Sequence, residues 1–186
     1  MRLHSLLFPS VVLISTCLAS PTPTSTSGTP TIRQQEPFVH PGLLHTASDF
    51  DRIEAFVSAE QKPFILDWVK LNTVADLSYV ANPHPTVRRG QQTEGPNNVH
   101  DLFHDAGAAY ALAVRWKISG DDRYADVAAR ILDAWSSTLP EIRGPSDRFL
   151  ASGLQGYQFA NIAEILRGYA GWDGLENAVQ MLVDIF

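Results

Sequence analysis

Residues 121–139, DDRYADVAARILDAWSSTL, decide the fold. Tyr124, Val127, Ala128, Ile131, Leu132 and Trp135 recur at i, i+3, i+4, i+7, i+8 and i+11. That is one unbroken apolar stripe at a period near 3.6, the mark of an amphipathic helix with one buried face. The preceding stretch, residues 97–120, is apolar nearly all round: Leu102, Phe103, Ala106, Ala108, Ala109, Tyr110, Leu112 and Val114. It is expected to be a helix covered on several sides. Gly120 can close it in a left-handed conformation, and Asp121 or Asp122 can cap the next helix. So tight a connection makes the two helices antiparallel neighbours. Pro140 ends the amphipathic helix, and a loop precedes further helices from about residue 153 to 168 and from about 173 onward.

Working back from there, residues 77–96 (LSYVANPHPTVRRGQQTEGP) read as a long irregular loop, because its prolines and glycines oppose helix and central strand alike. A loop of that length in a compact domain is often functional. Before it come two shorter helices. The first starts at Ser48, with Ser48 and Asp51 spaced as a capping box, and has Phe50, Ile53 and Val57 on its apolar face. The second runs from Pro63 to Thr73 and buries Ile65, Trp68 and Val69. Residues 38–46, FVHPGLLHT, lead in as an extended segment, since Pro41 disfavours helix at His40. No stretch alternates with period two. The fold class is therefore all-α. An apolar helix followed closely by an amphipathic one suits a two-layer, toroid-like (α/α) ring, with inner helices covered and outer ones half exposed. Residues 173–186 carry Leu175, Val179, Leu182 and Phe186 at helical spacing and stop without a cap. On that ground the ring is expected to be incomplete in this chain.

The first 37 residues read differently. Arg2, then a mostly apolar run to Leu18, then Cys17 and Ala19 as a small-x-small pair, make residues 1–19 a secretory signal peptide. Residues 20–37 are rich in Pro, Thr and Ser and read as a linker. The folded domain is expected over 38–186. Cys17 is the single cysteine, so cleavage after Ala19 leaves no disulfide, no thiol nucleophile and no zinc–thiolate site. The chain of 186 residues carries 14 Lys+Arg against 20 Asp+Glu, a formal charge of −6. That disfavours a nucleic-acid or anionic-membrane binder. A secreted protein with neither as partner is expected.

Several residues are of types that bind or react. Arg88 and Arg89 sit side by side in the long loop; guanidinium forks suit carboxylates, although surface arginines are also often inert. Asn97, Asn98, His100, His104 and Asp105 gather at the start of a helix. His100 and His104 share a face at i and i+4, a spacing metal sites use, but the text is His-Asp-Leu-Phe-His and lacks the Glu of an HExxH motif, so no metal is expected. Asn97, Asn98 and His100 lie where a helix N-terminus favours anions. Further on, Gln155, Tyr157, Gln158 and Asn161 form a polar edge. It either faces a cleft and holds a hydroxyl-rich ligand or makes a helix–helix contact; buried amides require some partner. Trp68 and Trp135 fit core positions, while Trp116 and Trp172 are open between core and sugar stacking. There is no GxSxG, Walker loop, CxxC or GxGxxG, which leaves acid–base chemistry by His, Tyr or carboxylates.

Residues 108–139, AAYALAVRWKISGDDRYADVAARILDAWSSTL, followed by GLQGYQFANIAEILRGY at 153–169 and a Gly-Trp pair, closely resemble the secreted alginate-lyase-domain family, fungal members especially. HPGLLHT and SDFDRI fit as well, and the resemblance covers roughly residues 38–186. It implies an (α/α) toroid and β-elimination on uronic-acid polymers such as alginate or glucuronan, without an obligatory metal or cofactor. A donor group neutralises the C6 carboxylate, a Tyr or His moves the proton, and the 4-O-linked sugar leaves. The family's catalytic Asn-His pair, with its Arg and Tyr, lies in the second half of the domain. The pattern at Asn97–His100 is too early to inherit that role, so the catalytic residues stay unassigned. The substrate-contact candidates are Arg88, Arg89, Asn97, Asn98, His100, Tyr157, Gln158 and Asn161, and the partner is an anionic polysaccharide. Two rival readings remain. A toroid-type glycoside hydrolase would need a carboxylate pair such as Asp101 and Asp105. A non-catalytic uronan-binding domain would need only the arginines.

Overall fold

A computed structural model describes residues 38–91 and 95–186; the expected signal peptide and linker lie outside them. Helices dominate: α1 (Ala47–Ser58), α2 (Phe64–Val74), α3 (Val99–Ser119), α4 (Asp122–Ser136), α5 (Asp147–Leu166) and α6 (Leu175–Ile185). They pair as three hairpins, α1–α2, α3–α4 and α5–α6. α3 packs on α1, α2, α4 and α5, and α4 also contacts α5 and α6. Among the described residues no helix is long and apolar enough to cross a membrane.

The α3–α4 hairpin forms as its sequence dictates. Gly120 takes φ 67°, and its N–H closes on the Trp116 carbonyl. Asp121 caps α4 by accepting from the Arg123 N–H. The whole stripe from Tyr124 to Trp135 is buried, Trp135 completely. Leu102, Ala106, Ala109, Leu112 and Ala113 on α3 are also sealed. Alanines at three of these five positions let α3 lie close to its neighbours. Phe159, Ile162, Ile165 and Leu166 of α5 complete the centre. Burying a side chain such as Leu or Phe stabilises by about 1.5–3 kcal/mol, so this three-helix contact is the dominant favourable term. Gly156 admits the end of α6: a Cβ there would fall 2.8 Å from the Cβ of Phe186.

Four local features differ from the sequence reading. α2 buries none of its residues: Ile65 and Trp68 are only half-buried and Val69 is exposed, because α2 packs mainly on α1 and α3 and leaves its outer side to solvent. The capping box at α1 is made by Thr46 and Asp49, not Ser48 and Asp51. Both pairs have the same spacing, and the hydrogen-bonded turn begins two residues earlier. The 77–96 loop is not wholly irregular: Thr86–Arg88 (β1) pairs in parallel with Glu141–Arg143 (β2). Three residues are too few to display alternation, and only Val87 is buried. Finally, α5 starts at Asp147 rather than near 153, because Asp147–Ser152 continue the helix directly after Pro145 and Ser146.

Buried polar groups tie the loop to this scaffold. The Asp105 carboxylate accepts from the Tyr79 hydroxyl at 2.7 Å, the Asn82 N–H at 2.8 Å and the Trp135 indole N–H at 2.8 Å. One turn earlier on α3, Asp101 meets His84 at 2.6 Å and the Asn82 side chain at 3.0 Å. Asn98 then clips β1: its oxygen accepts from the Arg88 N–H at 2.6 Å, and its amide donates to the Thr86 carbonyl at 3.0 Å.

Candidate functional site

The candidate site follows the exposed line where α3 and α5 lie side by side. Its first end is built by the lead-in segment. Glu164 of α5 is a buried carboxylate and must be partnered. It accepts from the Gly42 N–H at 2.9 Å, sits 2.5 Å from His40 Nδ1 and lies 3.4 Å from Arg167. One turn away, Asn161 accepts from the Leu44 N–H at 3.0 Å and donates to the Tyr157 carbonyl at 2.8 Å. Residues 40–44 are thus strapped across α5. The next residue, His45, is delivered to α3, where its Nε2 is hydrogen-bonded to the Tyr110 hydroxyl. Its ring lies 6.0 Å from the Tyr110 ring at 26° and 5.2 Å from Phe50.

Burial sets the protonation of this pair. It holds the His45 imidazole below the ordinary histidine value, with Asp49 pulling weakly the other way. It also pushes the Tyr110 phenol up, and the neighbouring Tyr157 adds to that. Near neutral pH the pair is therefore a neutral imidazole and an un-ionised phenol, with Tyr110 donating to His45. Tyr157 is 53 % exposed beside them.

The second end lies about ten residues toward the helix N-termini, or about 15 Å along α3. Arg88 and Arg143 are partners across the β1–β2 ladder. Arg89 is 3.1 Å from Asp147 at the start of α5, with its guanidinium 5.3 Å from the centre of the Phe103 ring. Arg148 follows, donating to the Gly144 carbonyl and lying over Phe149. Four guanidinium groups gather here against the carboxylates of Glu141 and Asp147. Glu141 is held below its ordinary value by its hydrogen bond from Arg143, with Thr86 and then Arg88 adding to the effect. Arg89 bridging Phe103 to Asp147 at one end, and Tyr110 near Tyr157 further on, show that α3 and α5 run in the same direction.

Between the ends the helices are bare. Gly107 on α3 and Gly153 on α5 would each accept a Cβ with nothing within 4 Å. Gly107 lies on the face of His100 and His104, and Gly153 on the face of Leu150, Leu154 and Tyr157, by the i, i+3, i+4 rule. Leu150 and Leu154 are each 50 % exposed.

The sequence candidates distribute unevenly over this line. Arg88 and Arg89 stand at the cationic end, Tyr157 at the Tyr–His end. Asn98 and Asn161 are engaged through both oxygen and nitrogen within the protein. Gln158 accepts from Gln155 at 3.2 Å. Asn97 is exposed and accepts from the Val99 N–H at 3.3 Å. His100 and His104 are exposed with ring centres 6.5 Å apart. Among the described residues no group of three His, Cys, Asp or Glu is placed to hold a metal ion. Asp105 is buried under three donors and faces no cleft, so it cannot pair with Asp101 across a glycosidic bond. Trp116 and Trp172 donate to Asp122 and Asp133, each at 2.9 Å. His45, Tyr110, Arg143 and Arg148 did not stand out in the sequence. For Arg143 and Arg148 the signal was there, in a second loop that sets one arginine on either side of Gly144 and Pro145. No protein-family model, no curated protein and no solved structure matches this chain.

Proposed function

We propose that this chain is a polysaccharide lyase of the (α/α) toroid type, acting on uronic-acid polymers by β-elimination along the α3–α5 face. The observation that carries the reading is the hydrogen-bonded Tyr110–His45 pair, set on the same exposed line as the Arg88, Arg89, Arg143 and Arg148 group. In an acidic protein a cationic end calls for an anionic ligand, and a separation of about 15 Å calls for a polymer rather than a single sugar. The glycines between leave room for the sugar chain.

The chemistry follows from the two shifted groups. The Tyr110 oxygen takes the C5 proton of a bound uronate while passing its own proton to His45 Nε2. A free phenolate is disfavoured by burial, so this hand-over replaces it. The C5–H electron pair becomes the C4=C5 double bond, and the C4–O4 bond breaks. Tyr110 then protonates O4 and recovers its proton from His45. Tyr157, exposed beside the pair, contacts the sugar. Hydrolysis is disfavoured because Asp105 is consumed by the fold.

Incubation with alginate and with glucuronan is expected to produce the ultraviolet absorbance of 4,5-unsaturated ends. Reducing sugar without that absorbance, or no product from any uronan, refutes the lyase reading. Binding gives a second measurement. Arg88→Ala with Arg143→Ala should weaken uronan binding at least tenfold and flatten its salt dependence. Gly153→Tyr should block binding while leaving the melting temperature unchanged or higher, since a helix-interior Gly costs about 0.5–1 kcal/mol. Binding indifferent to both changes would remove the α3–α5 face from the proposal.

A further inference from the structure

A second concavity lies between α4 and the turn before α6, away from the α3–α5 line. Its volume is about 510 Å³, and its walls include Arg123, Asp126, Arg130, Asp133, Trp172 and Asp173. We infer that it is a binding site for a cationic amino sugar, such as a glucosamine unit of a deacetylated hexosamine polymer.

The walls are fixed by their own hydrogen bonds. The Trp172 indole donates to Asp133 Oδ1 at 2.9 Å. The Tyr169 hydroxyl donates to Asp126 Oδ1. Gly174 makes the first of these contacts possible, because a Cβ there would fall 2.0 Å from Asp133 Oδ1. Each of the two carboxylates keeps its second oxygen for a ligand. Arg130 and Asp173 make no hydrogen bond or ion pair among the described residues.

Each feature selects part of the ligand. Trp172 offers apolar surface for a pyranose ring, and its indole N–H is already satisfied. Arg130 supplies donors and the aspartates supply acceptors, the mixture that hydroxyl groups need. The charge balance decides the rest. Arg123 is already held 2.6 Å from Asp121. That leaves Arg130 facing Asp126, Asp133 and Asp173. The surplus is negative, so a uronate is repelled and a neutral sugar leaves the surplus uncompensated. An ammonium group on the ring fits both the surplus and the nearby indole.

The test is isothermal titration calorimetry of the full chain with three trisaccharides: glucosamine, N-acetylglucosamine and a uronate. Saturable binding of the glucosamine trimer is expected, at least tenfold tighter than its N-acetylated counterpart and without competition from the uronate. Asp126→Asn with Asp133→Asn keeps an oxygen to accept from Tyr169 and Trp172 but removes both charges. It should weaken glucosamine binding at least tenfold at an unchanged melting temperature. Asp173→Asn, at an exposed position with no partner to lose, should weaken it several-fold and covers the case in which the double variant unfolds. Absence of glucosamine binding, equal binding of the N-acetylated trimer, or affinity unmoved by these changes overturns the inference. None of these outcomes depends on the lyase reading, whose assays use the other face.

Discussion

Replacing Asp105 with Ala should destabilise the protein by about 3–5 kcal/mol, more than any other single polar substitution in the described residues. The carboxylate is 2 % exposed and satisfies three donors at once. Removing it leaves the Tyr79 hydroxyl, the Asn82 N–H and the Trp135 indole without partners. Tyr79 and Asn82 can turn toward water because both are partly exposed. Trp135 cannot, being fully buried, so its N–H bears the whole desolvation cost. At this chain length 1 kcal/mol moves the melting temperature by about 2–4 °C, so a fall of about 10 °C is expected in a thermal melt. Asp105→Asn should cost less, since it retains one acceptor oxygen but turns an amide toward at least one donor. Tyr79→Phe should cost about 1 kcal/mol. Combined with Asp105→Ala it should add almost nothing, because both remove the same bond. Additive losses in that double variant would show that Asp105 is not the hub.

The hub matters beyond stability, because it anchors residues 79–82. From that anchor the chain runs through His84, held by Asp101, into β1 and the arginines. The cationic end of the α3–α5 line is therefore positioned by a carboxylate that never touches a ligand. In the sequence Asp105 looks like an available acid beside two histidines. Its three donors come from positions 79, 82 and 135, and nothing in the local text announces them.

That contrast explains what could be read in advance. The α3–α4 hairpin was legible because its determinants are local: one stripe at period 3.6, a glycine with positive φ, an aspartate cap. The β1–β2 ladder was not, because each strand is three residues long and its partner is 55 positions away. Ser146 followed by Asp147 has the form of a helix start, but Ser146 makes no side-chain cap and the pattern is easily read as loop beside Gly144 and Pro145. The arginine pair at 88 and 89 was visible as charge, while its company with Arg143 and Arg148 depends on the ladder. His45 meets Tyr110 across 65 residues. It does so only because Glu164 and Asn161, the second of them a substrate-contact candidate in the sequence, hold the strap instead. Those two are positioning residues for His45.

Tyr110→Phe follows from that placement and separates catalysis from architecture. The ring and its packing on His45 remain, and only the hydroxyl goes. If the bond were merely structural, the loss would be about 1 kcal/mol of stability with turnover nearly intact. As the proton-transfer group it should lower kcat on uronan by about 10²–10⁴ while KM changes little, because proton transfer belongs to the transition state. His45→Gln sharpens the comparison. Glutamine can still accept a hydrogen bond from Tyr110 but cannot take its proton, so turnover should fall as far as in Tyr110→Phe with binding preserved. The pH profile must agree. His45 works as the neutral acceptor, and burial places its pKa below the usual 6.5. Turnover should therefore persist below that pH and decline only as the pH falls through the lowered value, where the imidazole gains a proton and can no longer accept one. An acid limb centred above 6.5, or one that survives His45→Gln, would assign the titration to another group and remove His45 from the mechanism.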